Sequence, residues 1–301
     1  MKKVASLAAL CAALLATTSA NAADAVAVAE RPLVLEMDVW GGYLWRGGDA
    51  ISDDEVPDFP LLGGGALAAV PLGETGLLQF ELDGEAGFYG DGGDIDDTYA
   101  GSMTTGAHFA WINESHLLGV FGGVGRTFNV DESDDDDQNA THYFAGLEGK
   151  MNFDMASLAL QGGYLGSNGE DAEHFDDALF VRGIGQVFFN DGHTMLQGDV
   201  AYANGTQDYD SDEAEDLDVY AWGAELEHAL NMGIGGGAVS LFAAYDGLHL
   251  DEADGENLTD HTVRLGFKLR VGVVTPQERE MLTAPDLPNV GRWLGATPAI
   301  D

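Results

Sequence analysis

Between Leu33 and Gly272 apolar and polar residues alternate with period 2, in runs of about ten, the signature of strands with one apolar and one wet face. In the clearest run Leu78, Phe80, Leu82, Ala86 and Phe88 share one face, and Gln79, Glu81, Asp83 and Glu85 share the other. A helix would mix the two sets. The same reading puts Leu35, Met37, Val39, Tyr43 and Trp45 opposite Glu36 and Asp38, and Tyr143, Leu147, Met151 and Phe153 opposite Glu148 and Lys150. Near the end, Val263, Leu265, Phe267, Leu269 and Val271 alternate with Arg264, Gly266, Lys268 and Arg270. Twelve strands are predicted, over 33–46, 62–70, 77–89, 99–112, 117–128, 141–153, 156–166, 178–189, 194–202, 217–229, 238–248 and 261–272. The second, fifth and eighth have an ambiguous facing, and Arg126 fits badly if Leu118, Val120 and Val124 point outward.

The connections alternate in kind. Short turns such as Asn113-Glu114-Ser115, Asn190-Asp191-Gly192 and the glycine-rich Gly233–Gly237 alternate with six long connections. The long ones, 47–61, 90–98, 129–140, 167–177, 203–216 and 249–260, hold 31 of the 52 acidic residues and no Lys or Arg. A soluble β-sandwich also alternates, but has no reason to place its acidic loops on every second connection or to keep its outer face apolar all round. The pattern predicts an all-β fold, a transmembrane antiparallel β-barrel of about 12 strands over 33–272, with short periplasmic turns and long extracellular loops.

The flanking segments set the compartment. Met1–Ala22 has a basic start (Lys2, Lys3), an apolar stretch and Ala20-Asn21-Ala22, a signal peptide that routes the chain to the bacterial outer membrane. Residues 23–32 read as a linker. The lone cysteine, Cys11, falls within the signal, and the mature chain keeps 10 basic against 52 acidic residues. That imbalance excludes nucleic acid as a partner, since phosphate binding needs clustered Lys and Arg. No apolar run is long enough for a spanning helix, and the 45% hydrophobic content is too rich for a disordered chain. The expected partners are outer-membrane lipid and lipopolysaccharide, and the outer-membrane assembly machinery during biogenesis.

Two stretches carry resemblances. Arg264-Leu265-Gly266-Phe267-Lys268-Leu269-Arg270-Val271 resembles the β-signal read by that machinery, although it is not terminal and ends in Val. Tyr43-Leu44-Trp45-Arg46-Gly47-Gly48, followed by Asp53-Asp54-Glu55-Val56-Pro57, is similar to the first hairpin of uncharacterised proteobacterial outer-membrane proteins that start with Tyr-x-Trp/Phe-Arg-Gly. This resemblance implies location and fold, and no activity.

The inward charges are the candidate functional set. The predicted pore-lining residues are Glu36, Asp38, Arg46, Glu81, Asp83, Glu85, Glu148, Lys150, Arg182, Glu225, Glu227, Arg264, Lys268 and Arg270, joined by Asp199 and Asp246. Closing the barrel sets the last strand beside the first, so Arg270 and Lys268 are expected to pair with Glu36 and Asp38. An acidic wall facing a basic one selects ions, and rings of acids favour cations. The expected function is a porin-like channel for small solutes or ions, preferring cations. The alternative is a non-conducting structural or adhesive barrel with acidic extracellular loops, because an interior of twelve strands can be filled by side chains.

Other chemistry is poorly supported. Ser102 and His108 share a face, but about 20 Å of strand separates them, too far for a nucleophile and its base, and no Gly-x-Ser-x-Gly occurs. No enzyme, cofactor or metal site is expected. Asp208, Asp210 and Asp212 alternate as in a calcium loop, but Glu213 and Val219 occupy the Gly and Glu positions. Asp134–Asp137 is a charge run without ligand spacing, so weak divalent-cation binding is the most the loops offer.

Residues 273–301 form a periplasmic tail. Thr275-Pro276-Gln277-Glu278 reads as an N-cap, an N1 proline and a capping-box Glu, predicting a helix to about Leu282. Beyond it the tail is expected to be irregular and loose, with Trp293 and Leu294 as one apolar anchor, rather than a plug.

Overall fold

The computed structural model describes residues 31–48, 58–89, 98–131, 138–169, 174–208, 215–234, 237–252 and 257–295. The expected signal peptide, most of the linker and the centres of the acidic loops, including Asp134–Asp137 and Asp210–Asp212, lie outside the described residues.

Twelve strands form, matching the predicted number and order: β1 Val34–Gly47, β2 Asp58–Leu72, β3 Gly76–Tyr89, β4 Thr98–Ile112, β5 His116–Asp131, β6 Gln138–Phe153, β7 Ala156–Gly169, β8 His174–Phe189, β9 Thr194–Asp208, β10 Glu215–Ile234, β11 Gly237–Glu252 and β12 Asn257–Val271. Each pairs antiparallel with its sequence neighbours, and β1 pairs with β12 from Leu35↔Val271 to Gly47↔Thr259, closing the barrel. Closure leaves no sheet edge with unpaired backbone groups, the condition for a β structure in lipid. β2 starts four residues earlier than predicted, because Phe59 and Leu61 extend its inward face beyond the glycine run.

The period-2 pattern becomes two surfaces. Val39, Leu62, Phe80, Phe109, Leu118, Leu147, Leu160, Leu179, Val200, Leu226, Leu241 and Leu265, one from each strand, are exposed and form a continuous outer apolar belt. Tyr43, Tyr143, Tyr164, Tyr202, Tyr220 and Tyr245 flank it toward the long-loop end, where an amphipathic ring suits a membrane interface. Two of the three ambiguous strands resolve plainly. β5 turns Leu117, Phe121 and Thr127 inward and Leu118, Val120 and Val124 outward, with Arg126 outward and exposed near the long-loop end; β8 turns Phe180, Arg182, Ile184, Gln186 and Phe188 inward.

The C-terminal segment departs from expectation. At Gly272 (φ +95°) the chain turns off β12, and a side chain there would strike the Leu33 carbonyl. It then enters the lumen. The predicted helix α1, Pro276–Leu282, forms with its capping box complete: Thr275 Oγ1 accepts from the Glu278 amide at 3.1 Å, and the Glu278 carboxylate accepts from the Thr275 amide at 3.2 Å. A second helix, α2 Val290–Gly295, follows where an irregular chain was expected. The expectation of a loose tail is therefore corrected. Val273 and Ala284 are buried among Val34, Leu67, Ala69, Leu77, Ala110, Ile112 and Leu117, and Val290 and Trp293 among Phe121, Phe144, Leu165 and Phe180. Burying about 150–250 Å² of indole, on the usual size of an aromatic side chain, contributes about 4–6 kcal/mol and is one of several contacts that together offset the entropy of ordering the segment.

Candidate functional site

The lumen is the candidate site, and its walls follow from the strand register. Every residue predicted to line the pore lies on an inward position, and nearly all of them bond to one another or to the tail.

At the short-turn end, Arg270 ion-pairs with Glu36 and Glu227 and donates to Ser240 Oγ at 3.0 Å. The Glu36–Arg270 pair is the one expected from closure. Lys268 lies beside Asp38 in the ladder but bonds elsewhere: its ammonium reaches across β11 to Glu225 and Glu227, over the Phe242 ring at 5.0 Å. The expected Lys268–Asp38 pair is thus corrected. A long flexible stem chooses among carboxylates within its reach, and two of them on β10 outcompete one.

On the opposite wall, His108 is fully buried between two carboxylates, Glu81 at its Nε2 and Glu148 at its Nδ1, each 3.0 Å away, and stacks on Phe121. Glu81 also accepts from the Leu287 amide at 2.9 Å, and Gln161 Nε2 lies 3.3 Å from Glu148 and 3.2 Å from the Asp286 carbonyl. His108 therefore holds the wall that receives the tail, and Ser102, its expected non-partner, packs instead against Gly291 of the tail.

Most of the remaining inward charges grip the tail. The Lys150 ammonium, almost fully buried, donates to the carbonyls of Glu280 and Thr283, the latter at 2.7 Å, and lies 3.3 Å from the Glu280 carboxylate. Arg182 donates to the Asp286 and Leu287 carbonyls at 3.0 and 3.3 Å and to Asp199 at 3.4 Å. Gln79 accepts from the Ala284 amide at 2.9 Å. The tail answers with its own ions. Arg279 pairs with Glu280, Asp286 and Glu36, and Arg292 pairs with Glu85, with Asp246 at 3.7 Å. Burial pushes the Asp286 carboxyl up, but the Arg279 guanidinium outweighs it and pulls the group down to about 2. Trp293 meets Phe180 edge to face, centroids 5.9 Å apart.

Arg264 pairs with Asp246 at 2.7 and 3.0 Å and lies over the Trp40 ring at 5.1 Å. That ring lies flat on Gly63, where any Cβ would sit within 2.2 Å of it. Near the long-loop rim Arg46 pairs with Asp260 at 2.8 Å. Toward the same end the inward positions turn apolar: Leu165, Leu217, Leu248, Leu250 and Leu258 are all fully buried. The expected opposition of one acidic and one basic wall is replaced by interleaved ion pairs, because the tail brings Arg279 and Arg292 against acids that would otherwise face water.

Beside α2 a cavity of about 220 Å³ remains, lined by Asp38, Asp83, Asp199, Glu225, Asp246, Arg264, Lys268, Arg292 and Trp293 among others. Sequence reasoning missed Arg279, Glu280, Asp286, Arg292 and His108 as members of this site. The available signal was that every Lys and Arg from Lys150 to Arg270 is inward, which makes two further arginines in the tail candidates for the same acids.

No family model matches the chain, and no curated protein matches it. Among solved structures, an outer-membrane channel from Pseudomonas putida F1 is similar over 84% of this chain and 100% of that one, at 14% identity and a TM-score of 0.53. The Pseudomonas putida toluene transporter TodX overlaps 81% of this chain and 90% of its own at 9% identity, with a TM-score of 0.41. The translocator domain of the autotransporter NalP from Neisseria meningitidis overlaps 90% and 98% at 14% identity, with a TM-score of 0.42. The likeness is one of fold: the chain has the architecture of an outer-membrane β-barrel.

Proposed function

We propose that the protein is an outer-membrane channel for small solutes, preferring cations, whose lumen is occupied at rest by its own C-terminal segment. The observation that carries this reading is the attachment of residues 273–295 to the inner wall through Lys150, Arg182, Gln79, Glu81 and Glu85, side chains that a merely structural barrel would need only to pair with one another. An interior so charged is costly to keep dry. The solute path runs where the tail now lies, and acids that the tail's arginines neutralise, Glu85 above all, become a cation-attracting surface once it leaves.

The test is single-channel conductance of the mature chain in a planar bilayer, under a salt gradient, with and without residues 273–301. The reading expects small or rare steps from the full chain, larger steps from the truncated one, and a reversal potential favouring cations. A second reading, a non-conducting surface barrel, is favoured by the buried leucine layer at the long-loop end, since an apolar constriction blocks ions by dewetting. Silence from a folded truncated barrel selects that reading.

A further inference from the structure

The barrel wall holds the middle of the tail by its main chain. Gln79 Nε2 donates to the Ala284 carbonyl at 3.3 Å while its Oε1 accepts from the Ala284 amide at 2.9 Å, so one side chain meets both backbone groups of one residue. Glu81 accepts from the Leu287 amide at 2.9 Å. Gln161 Nε2 donates to the Asp286 carbonyl at 3.2 Å, and Arg182 donates to the carbonyls of Asp286 and Leu287 at 3.0 and 3.3 Å. Lys150 donates to the carbonyls of Glu280 and Thr283 and, among the described residues, to no group of the barrel. Gln79, Gln161 and Lys150 are all buried in making these bonds. Every peptide carries the same amides and carbonyls, so such bonds do not depend on the sequence they hold. Residues 284–289 lie in neither helix nor strand and leave their main chain free for the wall, and Pro285 and Pro288 lack the amide that would otherwise need a partner. Side chains enter at other points. Ala284 is fully buried among aliphatic side chains of β1 to β5, while Arg279 lies 3.6 Å from Glu36 and Arg292 Nε donates to Glu85 at 3.1 Å.

We propose that this wall is a peptide-binding site, that the tail is its resident ligand, and that the solute it takes is a short extended oligopeptide with a small residue at the Ala284 position and basic side chains toward its ends. The inference rests on the channel reading for its use in transport and names the solute class. Main-chain bonds supply affinity in such recognition, and pockets for particular side chains supply preference. Other small solutes match the wall less well. An anion satisfies Lys150 and Arg182 but leaves the acceptors of Gln79 and Glu81 unmatched, and a simple cation does the reverse. An oligosaccharide offers hydroxyls without the paired amide and carbonyl that Gln79 meets at Ala284. Peptide and tail occupy one site and exclude one another. The tail is tethered to β12 at Gly272, so it competes at an effective concentration on the order of millimolar, and an entering peptide binds only as the tail leaves.

The test uses the refolded full chain in detergent micelles carrying Ala284→Glu and Trp293→Ala, two changes that dislodge the tail and leave the wall intact. Circular dichroism confirms folding, and tryptic cleavage at Arg279 confirms dislodgement. Fluorescence anisotropy follows a fluorescein-labelled peptide, Arg-Ala-Pro-Ala-Leu-Pro-Arg, beside an analogue in which ester oxygens replace the amide N–H of its first alanine and its leucine. The expected result is saturable binding of the peptide, weakened about tenfold or more in the ester analogue and again by Gln79→Leu in the barrel, as befits loss of main-chain hydrogen bonds. Glu85→Gln should weaken this probe but not its Gln-ended counterpart, and the chain with its natural tail should bind at least about tenfold more weakly because the tail competes. Attraction to the acidic loops is common to the amide and ester probes and cancels in their comparison. The proposal is overturned if the dislodged chain shows no saturable binding, or if the ester analogue binds as the peptide does. Ion conductance that the peptide leaves uninterrupted would keep the channel reading and remove this one; saturable, ester-sensitive binding by a barrel that conducts no ions would do the reverse.

Discussion

Replacing Lys150 by methionine isolates the hold of the barrel wall on the tail. The ammonium donates to two tail carbonyls and pairs with the Glu280 carboxylate, from a side chain only 1% exposed. Methionine fills a similar volume and donates nothing. Glu280 keeps its pairing with Arg279, so no bare carboxylate is left behind, and the loss is that of the three contacts without the larger penalty of an orphaned charge. Each hydrogen bond to a charged group is worth about 1.5–3 kcal/mol. In the undocked state, however, the ammonium regains lumenal water, so a net loss of about 3 kcal/mol is the sensible figure, a shift of roughly a hundredfold in the docking equilibrium. Arg279 and Arg292 make docking measurable, because trypsin cuts at them and both are largely buried when the tail is in place. When opening is fast relative to cleavage, the cleavage rate tracks the open population. The Lys150→Met variant should therefore lose its C-terminal peptide about a hundred times faster than the parent, at unchanged barrel stability in urea. Parent-like cleavage would show that the tail is held by something other than these contacts, and would refute the reasoning.

Three further outcomes follow from the same structure. Trp293→Ala removes the indole packed on Phe180 in the Phe121–Phe144 cluster and should cost α2 docking about 3–5 kcal/mol, so that trypsin cuts at Arg292 before Arg279 in a time course read by mass spectrometry. Glu227→Gln and Arg270→Met should each lower urea stability, with a coupling of about 2 kcal/mol or more in the double-mutant cycle, because Arg270 and Glu227 are almost fully buried and bonded to each other; strict additivity would contradict the pairing. Asp286 contributes to docking through a carboxyl held down at about 2, a contribution present above the ordinary carboxylate range and lost as pH falls from about 4 toward 2. Since that carboxylate is 44% exposed toward the cavity, screening limits the effect to less than about 1 kcal/mol; hydrogen exchange of the tail amides should accelerate modestly over that window, and Asp286→Asn should flatten the dependence.

Much of this protein is local in origin and therefore legible in its sequence. The faces of β3 follow from Gln79, Glu81, Asp83 and Glu85 alternating with Leu78, Phe80 and Leu82, because the strand repeat is two residues whatever surrounds it. A period-2 chain with alternating short and long connections leaves closure as the way to satisfy every backbone group in lipid. From closure, the neighbourhood of Arg270 and Glu36 follows without further information. The Thr275–Glu278 capping box is equally local, fixed by four consecutive residues.

The tertiary structure decided what depends on side-chain reach and on the path of the chain in space. Register places Lys268 beside Asp38, but only the three-dimensional arrangement shows its ammonium crossing β11 to Glu225 and leaving Asp38 unpaired. The tail's two arginines have no periodicity that names Glu36 or Glu85, because those partners lie more than two hundred residues away and are brought together only by the turn at Gly272 into the lumen. The sequence determined a charged barrel; whether its interior is an open pore or the socket for its own C-terminal segment was decided by packing, where the burial of Val273, Ala284, Val290 and Trp293 and the bonds made by Lys150, Arg182, Arg279 and Arg292 act together against the entropy of a free end.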